Sequence, residues 1–254
     1  MNLEAQFLTT LGELNEISWD MKKLSAQAIS LIDLTLLDEK ATSQDLKTLS
    51  EKGNVHQVAA ICVLPQHLST IAPVAATQLT TVINFPTGTQ ALSEVLTEID
   101  QIMIHNQVNE IDYVFPYQNY LKGEKREALE HCHHAYTRCK QHGVIFKVIL
   151  ETGALPTLES IFALSCEIIS QGCDFLKTST GRINQGTTPS AAFAMLKAIE
   201  NSNTSCGLKV SGGIKTPEQA FTYMCLAKQI RNRDLDNSWF RIGASSLLDE
   251  LMRT

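Results

Sequence analysis

No run in the 254 residues approaches the roughly 18 consecutive apolar residues of a membrane-spanning helix, so a helical membrane protein is excluded. Basic charge is short. The 21 Lys and Arg against 27 Asp and Glu give a formal net charge of −6, which speaks against nucleic acid as a partner but leaves room for one local anion pocket. No C-x-x-C pair occurs. The 7 cysteines, at 62, 132, 139, 166, 173, 206 and 225, are odd in number and scattered, which fits free thiols in the cytoplasm rather than a disulfide framework. No secretory leader is expected, since residues 1–6 bring in Glu4 early and read as an amphipathic helix. No linker, low-complexity tract or charge block divides the chain, so one domain over 1–254 is expected.

What is present is a repeated apolar pattern. Hydrophobic residues make up 44% of the chain, ample for one well-buried core. Short β-rich runs predict strands at 29–33, 58–63, 80–84, 110–115, 144–150, 173–177, 207–210 and 239–243. Helical patterns fall between most of them, at 89–106, 123–142, 158–171, 189–201 and 216–231. Thr188-Pro189 and Thr216-Pro217 each read as an N-cap followed by proline at the first helical position. Eight strand–helix units of this spacing predict an α/β fold, a (β/α)8 TIM barrel. A doubly wound sheet ranks second, because the first strand leads into Ile32-Asp-Leu-Thr35 and not into G-x-G-x-x-G. Residues 1–27 precede the barrel, and the expectation is a helical extension closing its N-terminal face.

Three lysines lie inside the apolar runs: Lys147 in Val144-Ile-Phe-Lys-Val-Ile-Leu150, Lys177 in Cys173-Asp-Phe-Leu-Lys177, and Lys209 in Gly207-Leu-Lys-Val210. A lysine in a buried strand must be neutralised, paired or used. In a barrel the C-terminal strand ends form the active site. Those ends carry Asp33, Thr35, Cys62, Asn84, Asp112, Lys147, Glu151, Lys177 and Lys209, all expected around one funnel. Lys177 and Lys209 end consecutive strands, about 4.8 Å apart, so their ammonium groups repel. Repulsion and desolvation both lower a lysine's pKa, and a neutral amine attacks a carbonyl to form a Schiff base. Asp112 either holds Lys209 protonated or works with it as a proton shuttle.

Three glycine and hydroxyl loops follow the last three strands: Thr178-Ser-Thr-Gly181-Arg182, Ser211-Gly212-Gly213-Ile and Gly243-Ala-Ser245-Ser246. Each alone is an ordinary turn. Together, where barrels commonly hold phosphate, they predict an anion cradle with Arg182 as a bidentate contact. Cys62 is expected to line the pocket as a small residue, since no histidine near it would activate it as a nucleophile. Asn84-Phe-Pro86 is expected to shape a loop, with Asn84 a polar contact to substrate. His131-Cys132-His133-His134, with Cys139 and His142, looks like a metal cluster. It falls within a helix with no consistent ligand spacing, so a solvated helix face is expected.

Longer stretches carry a resemblance. Phe175-Leu-Lys177-Thr-Ser-Thr-Gly181 is followed about thirty residues on by Gly207-Leu-Lys209-Val-Ser-Gly-Gly213. With Ile32-Asp-Leu-Thr35, Glu110-Ile-Asp112-Tyr-Val-Phe-Pro-Tyr117, Phe146-Lys-Val-Ile-Leu-Glu-Thr-Gly153 and Arg241-Ile-Gly-Ala-Ser-Ser246, they span almost the whole chain. The chain resembles the 2-deoxy-D-ribose-5-phosphate aldolase family, class I lyases on a TIM barrel. The resemblance implies Lys177 as the Schiff-base lysine and Asp112 and Lys209 as its proton-transfer and pKa-tuning partners. It places Asp33 and Thr35 near the sugar hydroxyls and Gly181, Gly212, Gly213, Ser245 and Ser246 at the phosphate. Substrates would be small phosphorylated sugars and aldehydes. No metal or cofactor is implied, because the iminium itself is the electron sink. Barrels of this kind often pair, so a homodimer is expected.

Two departures stand out. Arg182 stands where family members often have lysine, and the two are not equivalent in a shaped site. Some members also carry a longer tail ending in tyrosine. Here eight residues without tyrosine follow Ser246, so enamine protonation is expected to be slower or to use another donor. Two rival functions fit the same strand ends. One is a phosphosugar isomerase or epimerase using Glu151 or Asp112 as base. The other is a non-catalytic sugar-phosphate binding protein.

Overall fold

The computed structural model of the protein describes residues 2–16, 19–72, 76–105 and 108–253. Its centre is a closed barrel of parallel strands in chain order. The strands are β1 (Ile32–Leu36), β2 (Ala60–Val63), β3 (Gln78–Ile83), β4 (Glu110–Val114), β5 (Ile145–Ile149), β6 (Phe175–Lys177), β7 (Gly207–Ser211) and β8 (Phe240–Ala244). The expected α/β (β/α)8 architecture is what forms. Strands such as Ile-Phe-Lys-Val-Ile in β5 are buried on both faces and so read as continuous apolar runs rather than alternating ones.

Helices between the strands start where side-chain caps exist. Thr42 and Asp45 form a reciprocal capping box on α3 (Ser43–His56), and Thr216 and Gln219 one on α9 (Pro217–Arg231). Thr157 and Ser160 do the same for α7 (Leu158–Gln171). Thr188 caps α8 (Pro189–Ser202), with proline at the first helical position as the sequence predicts. α4 (Leu92–His105), α6 (Lys125–Gln141) and α10 (Leu247–Leu251) complete the ring, with α5 (Tyr117–Leu121) a short turn after β4. The predicted helix 89–106 ends at His105, and Asn106 lies outside the described residues. Among the described residues, a 3-10 turn at Pro65–Thr70 stands in place of an α-helix between β2 and β3. No described helix is long and apolar enough to cross a membrane.

One expectation is corrected. The first strand was expected at 29–33 but begins at Ile32. Asp20 caps α2 (Met21–Ser30), which buries Leu24 and Ala28 and runs through Ile29. The apolar run 28–32 belongs half to that helix and half to β1, and periodicity alone cannot divide it. The N-terminal extension is helical, in two segments. α1 (Leu3–Glu16) lies across the outside of α7, α8 and α9, with Phe7 edge-to-face on Phe193 of α8 at 5.6 Å. α2 packs on α9 and α10, with Gln27 Nε2 donating to the Leu235 carbonyl at 2.6 Å. α10 is only 5 residues long, so α2 covers the ring sector that a full final helix would fill.

Candidate active site

Alternate strand residues face the same side of a sheet, so each strand sends residues two apart into the barrel. The register sets them side by side. Asp112 pairs with Lys147, Lys177 with Lys209, and Lys209 with Arg241. Asp112 is the hub. Its Oδ2 accepts from Lys177 Nζ and from Lys209 Nζ, each at 2.7 Å, and its Oδ1 from Lys147 Nζ at 2.9 Å. One layer lower, Lys209 Nζ also lies 2.5 Å from Asp33 Oδ2, and Lys147 Nζ 2.5 Å from Glu110 Oε2. Arg241 closes the base, donating to Asp33 Oδ1 at 2.7 Å and to Glu110 Oε1 at 2.8 Å. Thr80 Oγ1 donates to Glu110 Oε2 at 2.8 Å.

Counted by type, this cluster holds four basic side chains (Lys147, Lys177, Lys209, Arg241) and three acidic ones (Asp33, Glu110, Asp112), all buried. One positive charge is left over if every group is ionised. An uncompensated charge in a dry interior is costly, and the cheapest relief is loss of one proton. The local fields select which lysine loses it. Burial pulls Lys177 below its ordinary value, and the pull of Asp112 in the other direction does not restore it against the charge of Lys209. Burial also opposes charge on Lys209 and Lys147, yet the carboxylates of Asp112 and Asp33, and of Asp112 and Glu110, hold these two lysines above their ordinary value. Burial would raise Asp112 and Asp33, but the surrounding lysines, with Arg241 at Asp33, hold both well below the usual carboxylate range.

Two consequences follow for stability. Asp112→Asn leaves three buried basic groups without their shared carboxylate. The expected loss is about 3–5 kcal/mol, measured by urea unfolding. Because Asp33 and Asp112 are depressed in the folded state, that state binds fewer protons than the unfolded chain. Their contribution is full above about pH 4 and is lost as pH falls toward their folded values, so urea midpoints should drop steeply on acidification below about pH 4.

Above the cluster, at the C-terminal strand ends, opens a cleft of about 320 Å³. Of the basic cluster among the described residues, Lys177 is the member that lines it. Gly181, Arg182, Gly212 and Gly213 line it from the loops after β6 and β7, and Gly243, Ser245 and Thr35 from the neighbouring β8 and β1. Gly181 and Gly212 have φ of +76° and +91°, a left-handed backbone that favours glycine and brings main chain to the cleft surface. Gly243 is required for another reason: a Cβ there would sit 3.1 Å from Lys209 Cε, where the lysine passes toward Asp112.

Several other predicted substrate contacts are engaged within the protein. Asp33 and Lys147 are fully buried in the ion cluster and spend their polar atoms there. Asn84 donates to the Val114 carbonyl and accepts from Gln90 N–H, both at 2.9 Å, so it holds the loop after β3 and its amide is not free for substrate. Thr178 Oγ1 donates to the Ser211 carbonyl and accepts from Ser211 N–H, which locks β6 to β7. Cys62 is buried beneath the cleft with Leu64 and Val82, and burial pushes its thiol up to about 11. Ser246 is exposed at the start of α10 and does not line the cleft. Arg182 lines the cleft, but its guanidinium lies over the Phe85 ring at 5.5 Å and donates to the Leu37 carbonyl.

Glu110 and Arg241, which carry the base of the cluster, were not predicted, nor was Lys215 at the rim of the cleft. The signal for the first two was available. Each stands two residues before an inward position, Asp112 and Gly243. The histidine-rich stretch binds within the protein. His131 Nδ1 meets Tyr113 OH at 2.7 Å, His133 Nδ1 meets the Gln171 carbonyl at 2.8 Å, and Cys132 and Cys139 are buried. His133, His134 and His142 are exposed, as a solvated helix face predicts, and among the described residues no group of three or more potential ligands could hold a metal.

Residues 27–252 match the model of a family described as DeoC/LacD family aldolase. The chain is 35% identical over 238 residues to the deoxyribose-phosphate aldolase of Agrobacterium fabrum, covering 91% of each. Among solved structures it is similar to deoxyribose phosphate aldolase from Aeropyrum pernix, described as tetrameric, at 22% identity and a TM-score of 0.73, over 96% of this chain and 95% of that one. It is also similar to a Coccidioides immitis protein provisionally described as a deoxyribose-phosphate aldolase, at 23% identity and a TM-score of 0.79, over 100% and 99% of the two chains. At these identities the two structures speak to fold alone.

Proposed function

This chain belongs to the DeoC/LacD family of aldolases, and from that premise we propose that it catalyses the reversible cleavage of 2-deoxy-D-ribose 5-phosphate to acetaldehyde and D-glyceraldehyde 3-phosphate. One observation carries the reading: the cluster's odd lysine, the one pulled toward neutrality, is the one that faces the cleft.

Neutral Lys177 Nζ attacks C1 of the open-chain sugar. Water leaves the carbinolamine, and a protonated imine results. Loss of the C3 hydroxyl proton breaks the C2–C3 bond, and the bonding pair moves into the imine to give an enamine. Glyceraldehyde 3-phosphate departs. Protonation of the enamine at C2 and hydrolysis of the imine release acetaldehyde and restore the amine. Asp112 and Lys209 carry these protons, because a single carboxylate oxygen bridges Lys177 and Lys209. The glycine wall at Gly181, Gly212 and Gly213, with Lys215 and Arg182 at the rim, takes the phosphate. Its binding energy orients the reacting carbons.

The isomerase reading gains nothing from the site. Glu151 is occupied by Thr180, and a carboxylate base working alone leaves the cleft-facing amine of Lys177 without a role. The proposal includes a cytoplasmic setting, supported by seven free cysteines, and homodimeric assembly, for which the exposed Val55, Ile104 and Met252 offer apolar surface. Deoxyribose 5-phosphate should yield glyceraldehyde 3-phosphate in a coupled dehydrogenase assay. Borohydride with acetaldehyde should then place one ethyl adduct on Lys177 by peptide mass mapping. No adduct, or one on Lys147 or Lys209, would overturn the assignment.

A further inference from the structure

Glu151 follows β5 in a left-handed backbone conformation, φ 55° and ψ 60°, with its carboxylate fully buried. That conformation costs about 1 kcal/mol or more for a residue with a side chain, and such outliers persist where the surroundings need them. No cation is paired with this carboxylate in the salt bridges among the described residues. It serves one neighbour instead. Oε1 accepts from Thr180 N–H at 3.2 Å, and Oε2 accepts from the Thr180 hydroxyl. Thr180 Oγ1 in turn accepts from Arg182 N–H at 3.0 Å. The amides before and after Gly181 are therefore both turned toward Glu151 and its threonine. The Arg182 N–H belongs to the peptide after the glycine and the Thr180 N–H to the peptide before Thr180, so the clamp holds the loop on both sides of Gly181, whose φ is +76°.

The clamp sits at the foot of a stack of loops. Thr152 N–H donates to the Thr178 carbonyl at 2.9 Å, joining the β5 loop to the β6 loop. Ser211 Oγ donates to the Ser179 carbonyl at 2.5 Å, and Thr187 N–H to the Gly212 carbonyl at 3.1 Å, joining the β6 loop to the β7 loop. A carboxylate behind Thr180 thus sets the shape of a wall whose cleft side carries Gly181 and Gly212.

We propose that Glu151 is a positioning residue that sets the preference for a phosphorylated over an unphosphorylated sugar, by holding Thr180 and Gly181 in the shape that receives the phosphate. This inference rests on the phosphosugar aldolase reading above. Glu151 does not line the cleft and acts on its wall through Thr180; its carboxylate also feels the charge of Lys177, and an effect there would change both sugars alike and leave the preference between them unmoved.

The test compares kcat/KM for deoxyribose 5-phosphate and for deoxyribose in the wild type and in Glu151→Ala, Thr180→Val, Thr180→Ser and the Glu151→Ala/Thr180→Val double variant. The wild type should prefer the phosphorylated sugar. Glu151→Ala and Thr180→Val should each lower that preference by about ten-fold or more, through KM for the phosphorylated sugar, and the double variant should be no worse than the poorer single one. Thr180→Ser keeps the hydroxyl and should keep the preference. If Glu151→Ala does not fold, Thr180→Val decides alone, since it removes only the hydroxyl that Glu151 grips. A ratio unchanged in Thr180→Val, or kcat falling equally for both sugars, overturns the proposal while the aldolase reading stands. A wild type that cleaves neither sugar, or cleaves both equally well, overturns the aldolase reading or its phosphate cradle, and the proposal with it.

Discussion

Lys177→Ala should lower kcat for deoxyribose 5-phosphate cleavage by about 10⁴-fold or more and abolish borohydride trapping of acetaldehyde. The size of the effect follows from the covalent step. Without an imine there is no electron sink for the C2–C3 pair, and no other lysine of the cluster can replace it. Lys147 and Lys209 are fully buried, and their carboxylate partners hold them protonated. The variant should nevertheless fold. Asp112 keeps Lys147 on Oδ1 and Lys209 on Oδ2, and the cluster's basic and acidic groups become equal in number. The thermal midpoint is expected within about 4 °C of the wild type, since about 1 kcal/mol moves a chain of this size by that much. An inactive, stable protein is the signature of a catalytic amine. Activity surviving in a folded variant would point back to isomerase chemistry without a Schiff base.

Much of this site could be read from the chain before any coordinates. Lys177, Lys209 and Asp112 stood out because a charged residue at the end of an apolar strand has few reasons to be there. The barrel was legible because its units are local, each strand and helix announced by an apolar run or a cap. What stayed hidden is non-local. Thr178 and Asn84 look like substrate ligands in sequence, yet their partners are the main chain of Ser211 on β7, Val114 on β4 and Gln90 in the next loop. Nothing local records those bonds. Glu151 looked like a free acid in the funnel, and its partner Thr180 lies 29 residues further on. Glu110 and Arg241 were hidden less deeply. The two-residue period of a strand places them under Asp112 and Gly243, and extending that period one step down from the strand ends would have found the base of the cluster. α1 lies over α7, α8 and α9, and α2 packs beside a final helix of only 5 residues. That is a packing outcome, not a pattern within 1–27.

Lys209→Leu should move the ascending limb of the pH–rate profile to higher pH and cut kcat/KM at pH 7 by about ten-fold or more, with activity recovering as pH rises. The sign follows from the charge count. With Lys209 gone, Lys147, Lys177 and Arg241 face Asp33, Glu110 and Asp112, and the cluster balances only when Lys177 carries its proton. The neighbouring cation that pulled Lys177 down is absent, while Asp112 remains 2.7 Å from its Nζ and favours the charged form. Lys177 therefore titrates higher, and each unit of upward shift lowers the neutral fraction about ten-fold at any pH below its new value. Trapping of acetaldehyde by borohydride, measured against pH, follows the amine directly and should show the same displacement. Lys209 is also a proton carrier in the proposed mechanism, and that role predicts a different result. A loss of activity equal at every pH, with the trapping curve unmoved, would assign Lys209 to proton transfer alone and remove it from the tuning of Lys177. A displaced trapping curve with kcat still low at high pH would show both roles in the same side chain.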